Sequence, residues 1–302
     1  MAKKTGILFA AMVLVMVLFT GCAGLSIPET TVPSSTQDHT ISTTVITEPA
    51  VNDEGTPDIA GTILYHDNGI KVTVTGYEAD KYGVTIPVLI ENTSHRNVLV
   101  TTSHTSINRC MIGGILYSFV EAGTQVRDSI NVGRIELKDQ GITELSDIQF
   151  YLQVVDTDTD ETIQRTGLLT LQLTTPCTQT FDNSGTEIYN NNGIRVTYTG
   201  VGSAEWCPGF VYFFVENNSG RDITLMGTNF SLNGNEISNE LYADLRDNTV
   251  LLSYIKLWDL SCFSLKSVDE ISTVSLRLLM LDQETNEAID ATDIITIDAK
   301  KP

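Results

Sequence analysis

Asp156-Thr157-Asp158-Thr159-Asp160-Glu161 sets oxygen-bearing side chains at alternate positions, a pattern a hard cation such as Ca²⁺ would select. As an EF-hand loop the stretch fails, because Glu161 occupies the sixth position, where Gly is needed, and Gly167 the twelfth, where a bidentate Glu is needed. Asp156, Asp158 and Asp160 therefore remain candidates only for non-EF binding, with an acidic hairpin turn the expectation and no metal assigned. No Gly-x-Ser-x-Gly, His-Glu-x-x-His or Cys-x-x-Cys spacing occurs, so no catalytic residue and no cofactor is assigned. The other chemistry-bearing feature is aromatic. In Phe210-Val211-Tyr212-Phe213-Phe214-Val215, a strand places Phe210, Tyr212 and Phe214 on one face, and Trp206 and Trp258 lie nearby in sequence or in the same half of the chain. Such a stripe suits sugar stacking or anchoring of a partner, unless the chain between strands or a neighbouring domain covers it.

These residues sit in a chain that repeats itself. Asn68-Gly69-Ile70-Lys71-Val72-Thr73-Val74-Thr75-Gly76 recurs 124 residues later as Asn192-Gly193-Ile194-Arg195-Val196-Thr197-Tyr198-Thr199-Gly200. Ile90-Glu91-Asn92-Thr93-Ser94 answers Val215-Glu216-Asn217-Asn218-Ser219 at an offset of 125, and the stretch from Asp147 to Asp156 answers Thr273 to Asp282 at 126. Within each copy the period is two, and Asn-Gly, Asn-Ser and Asp-rich turns separate short apolar runs. Brief helical turns are expected near 119–125, 136–146, 239–246 and 258–270, and Pro87 is expected at a strand edge or bulge. Seven or so strands in about 115 residues predict an all-β fold of two tandem immunoglobulin-like β-sandwich domains, 61–175 and 185–302, joined by a linker, 176–184, with some hinge freedom unless Cys177 pins it. The duplication also tests candidate sites. His66, His95 and His104 face Asn190, Gly220 and Asn229 in the second copy, and His39 lies outside both, so the domain type has no built-in histidine site.

At the N-terminus, Lys3 and Lys4 precede an apolar run from Ile7 to Phe19 that ends in Thr20-Gly21-Cys22, the plan of an export signal. At roughly 1.5 Å per residue the run covers about 20 Å of a core near 30 Å, too short for a permanent span. Leu18-Phe19-Thr20-Gly21-Cys22 resembles the lipobox of bacterial lipoproteins, which implies a signal peptide over 1–21, cleavage before Cys22 and lipid on that cysteine. Residues 22–60 carry Ser, Thr and Pro with few apolar side chains and read as a disordered stalk. In a polyproline II conformation its 35 or so residues would reach on the order of 100 Å. The repeat resembles immunoglobulin-like domains of uncharacterised function in lipoproteins of Gram-positive anaerobes, on the Asn-Gly-Ile-Lys-Val opening, the Ile90–Ser94 and Val215–Ser219 strand ends, the Gly141 to Phe150 stretch, and Asp156. That resemblance implies fold and location rather than activity.

The formal charge is −20, and loss of Lys3 and Lys4 with the leader takes it to −22, so nucleic acid is not a partner to expect. With Cys22 assigned to lipid, Cys110, Cys177, Cys207 and Cys262 remain, and Cys207 with Cys262 is the first disulfide pair to test. Together these features predict a lipid-anchored, extracytoplasmic, surface-exposed protein that binds an envelope or extracellular protein or polysaccharide without catalysis, through Trp206, Phe210, Tyr212, Phe214 and Trp258. A purely structural envelope component or accessory subunit is the alternative, and an enzyme of unrecognised type the third. Exposure of Trp206, Tyr212 and Trp258 favours binding; their burial favours the structural reading.

Overall fold

A computed structural model describes residues 50–51, 57–133, 137–174, 177–238 and 241–300. Cys22, the signal peptide and most of the stalk lie outside the described residues. Order begins before residue 61: Ala50–Val51 pairs antiparallel with Pro57–Asp58, and Ile59 is buried in the first hydrophobic core.

The protein is nearly all β, and the repeat in sequence is a repeat in strand pairing. The first copy contains β1 (Ile63–Asp67), β2 (Ile70–Val74), β3 (Gly83–Asn92), β4 (Val98–Ile107), β5 (Tyr117–Val120), β6 (Gln125–Val132), β7 (Asp147–Asp156), β8 (Thr162–Arg165) and β9 (Leu169–Gln172). The second contains β10 (Thr186–Asn191), β11 (Ile194–Ala204), β12 (Cys207–Asn217), β13 (Ile223–Leu232), β14 (Leu241–Leu245), β15 (Thr249–Leu257), β16 (Thr273–Asp282), β17 (Ala288–Ala291) and β18 (Ile295–Asp298). One sheet of the first copy runs β1-β2-β3-β6; the other has β5 and β7 on either side of β4, with β8 and β9 beyond β7. The second copy repeats both, as β10-β11-β12-β15 and as β14, β13, β16 with β17 and β18. Strict alternation along β3 and β7 turns Val84, Ile86, Val88, Ile90, Ile148, Phe150, Leu152 and Val154 inward, which gives each copy a sandwich-like core between its sheets.

The expected helical turns reduce to short 3₁₀ segments at Leu137–Gln140, Leu260–Phe263 and Val268–Glu270. The stretches expected near 119–125 and 239–246 are instead entered by strands β5 and β14, whose buried and exposed residues alternate with period two. Pro87 is not at a sheet edge, since β3 lies between β2 and β6. Its carbonyl accepts from Thr75 N at 2.8 Å, so its missing N–H faces that same side, where the neighbouring strand breaks between Val74 and Glu78.

Three polar staples recur in both copies and explain the repeated motif. Asn92 and Asn217 are fully buried. Each side-chain amide donates to three carbonyls, those of Arg96, Val120 and Glu121 or of Arg221, Leu245 and Arg246, while its oxygen accepts from the backbone and hydroxyl of Ser94 or Ser219. Asn108 and Asn233, both with positive φ, cap the start of β7 and β16 by accepting from Ser146 and Asp147 or from Ser272 and Thr273. Asp156 Oδ1 accepts from Asp158 N and Thr159 N, and Asp282 Oδ1 from Glu284 N and Thr285 N, each carboxylate also meeting an arginine, Arg96 or Arg221.

The two copies share an edge. Val250 at the start of β15 pairs in parallel with Cys110, and its N–H donates to Arg109 O at 2.9 Å, which makes the second sheet of copy one continuous with the first sheet of copy two. Arg246, almost wholly buried, reaches from the second copy to His104 O (3.0 Å), Ser106 Oγ and Gln149 Oε1 (3.1 Å). Tyr151 donates to Asp222 Oδ2 at 3.1 Å, with the Arg165 guanidinium 4.1 Å above its ring. Arg109 holds φ 69°, an unfavourable region for a side chain, and donates through Nε to Asn248 O at 2.6 Å. The expected hinge is also tied down. Gln179 bonds Asn108 and Gly141 O, Cys177 N donates to Ser146 Oγ, and Phe181 packs on Phe214.

His104 sits in this joint with its Nε2 2.8 Å from Gln283 Oε1. Because the Gln283 amide N–H is used on Ile223 O, its oxygen faces the ring and the imidazole carries its proton on Nε2. Nδ1 is buried without a partner, so a second proton would find no acceptor. Burial holds the ring's pKa below its ordinary 6.5, assisted by Arg165 and opposed by Asp244, Asp222 and the Gln283 bond, while Tyr151 packs edge-on at 5.7 Å.

Two outcomes follow from these contacts. Asn92→Ala and Asn217→Ala should each lower stability in chemical denaturation by about 3 kcal/mol, because each strands several buried partners; very unequal losses would contradict the matched geometry. Since folded His104 titrates below its unfolded value, the unfolded chain binds the proton first. Its contribution is therefore complete above about pH 6.5 and is lost on acidification. His104→Asn, the residue found at the equivalent left-handed position Asn229, should flatten the dependence of stability on pH between about 7 and 5; an unchanged slope would assign the titration elsewhere.

Candidate functional site

The β12–β15 register builds an aromatic platform on the face of that sheet turned away from the second core. Val211, Phe213 and Val215 point into the core, so Phe210, Tyr212 and Phe214 take the other face. Phe210 lies opposite Lys256 and Tyr212 opposite Tyr254, which brings β15 side chains onto the same surface. Trp206 stands at the hairpin between β11 and β12, and Trp258 follows the end of β15.

The rings touch in series. Trp206 meets Phe210 at 5.2 Å and Trp258 at 6.3 Å; Phe210 stacks on Tyr212 at 5.6 Å and meets Tyr254 edge-on at 5.5 Å. The Lys256 ammonium lies 5.2, 5.3 and 5.6 Å from the centroids of Trp258, Trp206 and Tyr254, within cation–π range of all three. Phe210 is buried beneath its neighbours and Tyr212 and Tyr254 are half-buried, whereas Trp206 and Trp258 remain 60% and 61% exposed. Burial raises the Tyr212 pKa, which keeps its hydroxyl a donor. Beside the rings, β11 presents Gly200 and Gly202. A Cβ on Gly202 would lie 2.9 Å from Tyr212 Cε2, so the tyrosine ring leans over bare backbone.

Four of the five aromatics singled out in the sequence thus come together, and Phe214 does not. It is buried against Phe181 and belongs, with Val250, to the core of the first copy. Tyr254 and Lys256 were missed. Tyr254, Lys256 and Trp258 alternate along the chain, but only the pairing of β15 with β12 shows that they share a surface with Phe210 and Tyr212.

Of the candidate metal residues, Asp158 and Asp160 are exposed and only Asp156 is engaged by the fold. The Asp156 carboxylate is taken up by turn N–H groups and Arg96, Asp282 repeats the arrangement, and among the described residues no group of three or more His, Cys, Asp or Glu is arranged to hold a metal. The donating N–H of Thr285 holds the Asp282 carboxyl below its ordinary pKa. Cys207 and Cys262 do not form the expected disulfide. Cys207 is buried with its thiol toward Gly209 O, while Cys262 is exposed on a 3₁₀ turn with its thiol toward Asp259 Oδ2. Burial pushes Cys110 up to about 12, and the hydrogen bond to Asp259 raises Cys262.

With the protein folded, a thiol reagent should modify Cys262 first and half-buried Cys177 next, and should reach Cys110 and Cys207 only after denaturant is added; rapid reaction of Cys207 in the native protein would contradict this burial. No family model and no curated protein matches the chain. Among solved structures it is similar to one titled "The crystal structure of the conserved domain protein from Bacillus anthracis", at 14% identity and a TM-score of 0.27, over 81% of this chain and 92% of that one.

Proposed function

We propose that the chain is a lipid-anchored extracytoplasmic protein of two tandem immunoglobulin-like sandwiches that binds an envelope or extracellular partner, without catalysis, through the aromatic platform of its second repeat. The observation that carries this reading is the clustering of Trp206 and Trp258, both more than half exposed, over Phe210, Tyr212 and Tyr254. Large exposed aromatics grouped on one face are costly to leave in water, and they mark contact surfaces. The first repeat has Thr85, Pro87 and Leu89 where the second has Phe210, Tyr212 and Phe214. The platform therefore belongs to one copy and not to the domain type. The address rests on Lys3, Lys4, the apolar run and Cys22; among the described residues no helix is long and apolar enough to cross a membrane.

A structural role is the second reading, favoured by the joint around Arg246, which suits a spacer of fixed shape. One fractionation experiment separates the two. The full chain should enter the membrane fraction and Cys22→Ser should not. Cys22→Ser protein should be retained on envelope material isolated from the producing cells, and Trp206→Ala with Trp258→Ala should remove at least about nine-tenths of that retention. Retention unaffected by the two tryptophans would end the binding reading, and a membrane-bound Cys22→Ser variant would end the lipid anchor.

A further inference from the structure

Resting on that binding reading, we propose that the platform's occupant is a polysaccharide, specifically a neutral chain of pyranose sugars. Size is the first argument. Phe210 is buried and Tyr212 and Tyr254 are half-covered, so the exposed aromatic surface comes mainly from two tryptophans. With about 250 Å² for a large ring system, three-fifths exposure of two such rings gives on the order of 300 Å². A stable protein interface needs about 800 Å² from each partner, but a sugar chain is narrow enough to be held by two rings. Chemistry is the second argument. Pyranose rings present axial C–H groups on their faces and hydroxyls on their edges. Trp206 and Trp258 offer π-faces for the former. The Tyr212 and Tyr254 hydroxyls and the exposed carboxylate of Glu205 offer donors and acceptors around the rim for the latter.

Shape is the third. Gly200, where a Cβ would meet nothing within 4 Å, leaves β11 bare beside the raised rings, while the Tyr212 ring covers Gly202, so a chain can pass over Gly200 next to Tyr212. Charge narrows the ligand further. With a formal charge of −20 the protein repels polyanions, and the cation at the platform, Lys256, lies against three of its rings.

The test uses the Cys22→Ser full-length protein and two preparations of envelope material, one untreated and one digested with protease and freed of protein. Expected are retention on both, a change in tryptophan fluorescence on titration with the protein-free polysaccharide, and persistence of binding in high salt. Trp206→Ala with Trp258→Ala should weaken that binding at least about tenfold. Tyr117→Ser with Phe119→Ser, which alters an exposed aromatic pair on the first copy, should leave it unchanged and reports on folding and on non-specific adhesion. If retention on untreated material depends on the tryptophans but disappears after protease digestion, the partner is a protein. The polysaccharide is then overturned while the binding reading stands. Loss of binding in high salt with the polysaccharide would overturn its neutrality. Absence of retention on either material would overturn both readings.

Discussion

Everything beyond the individual sandwiches depends on a cation placed where no water can reach it. Arg246 follows strand β14 of the second repeat and buries its guanidinium in the first, donating to a backbone carbonyl, a hydroxyl and an amide oxygen. Burial lowers its pKa from the ordinary arginine value, and the nearby Tyr151, Asp222 and Asp147 oppose that shift. A buried charge is tolerated only when its donors are satisfied by well-placed partners, so the joint has one geometry in which it is stable. The shared edge at Val250, the left-handed Arg109 and the docked linker are consistent with that single geometry. Fixing the joint also fixes where the aromatic platform lies relative to the first repeat, and Phe214, captured by the first core, ties the same strand to both.

The duplicated parts and the unique parts of the molecule do different work. Asn92 and Asn217, Asn108 and Asn233, and Asp156 and Asp282 hold turns in the same way in each copy, with donor and acceptor distances that nearly match. The Lys71–Glu91 and Arg195–Glu216 ion pairs likewise bridge equivalent strands. Some of the differences between the copies fall at the joint or on the platform. Glu121 stands in the first copy where Arg246 stands in the second, and Asn229 in the second where His104 stands in the first.

Much of this was legible before any coordinates. Alternation along 83–92 and 147–156, the Asn-Gly turns and the offset between copies led to an all-β duplicated chain, because these are local signals whose meaning does not depend on distant residues. The calcium-like run at 156–161 fails as an EF-hand loop because Glu161 and Gly167 stand where Gly and a bidentate Glu are needed, which left an acidic turn as the expectation. What stayed hidden was long-range. Tyr254 and Lys256 join the platform through strand pairing, Phe214 leaves it because Phe181 covers it, and Cys207 and Cys262 prove separate because one points inward and the other sits on an exposed turn. Linker composition suggested freedom, yet Gln179 bonds Asn108 of the first repeat and Phe181 packs on Phe214 of the second, contacts that no local pattern announces.

The contact between the copies is head-to-tail, and contacts of that kind can in principle repeat without end. A further unit docking on the second repeat would bring Glu121 to the position of Arg246, facing the carbonyl of Asn229 where the first repeat offers that of His104. At that carbonyl an acceptor would confront an acceptor, so the bond that Arg246 makes to His104 O has no counterpart there. The substitution that locks the pair together thus also gives it a direction, since the first repeat, with Glu121 where the second has Arg246, lacks the guanidinium that makes the joint.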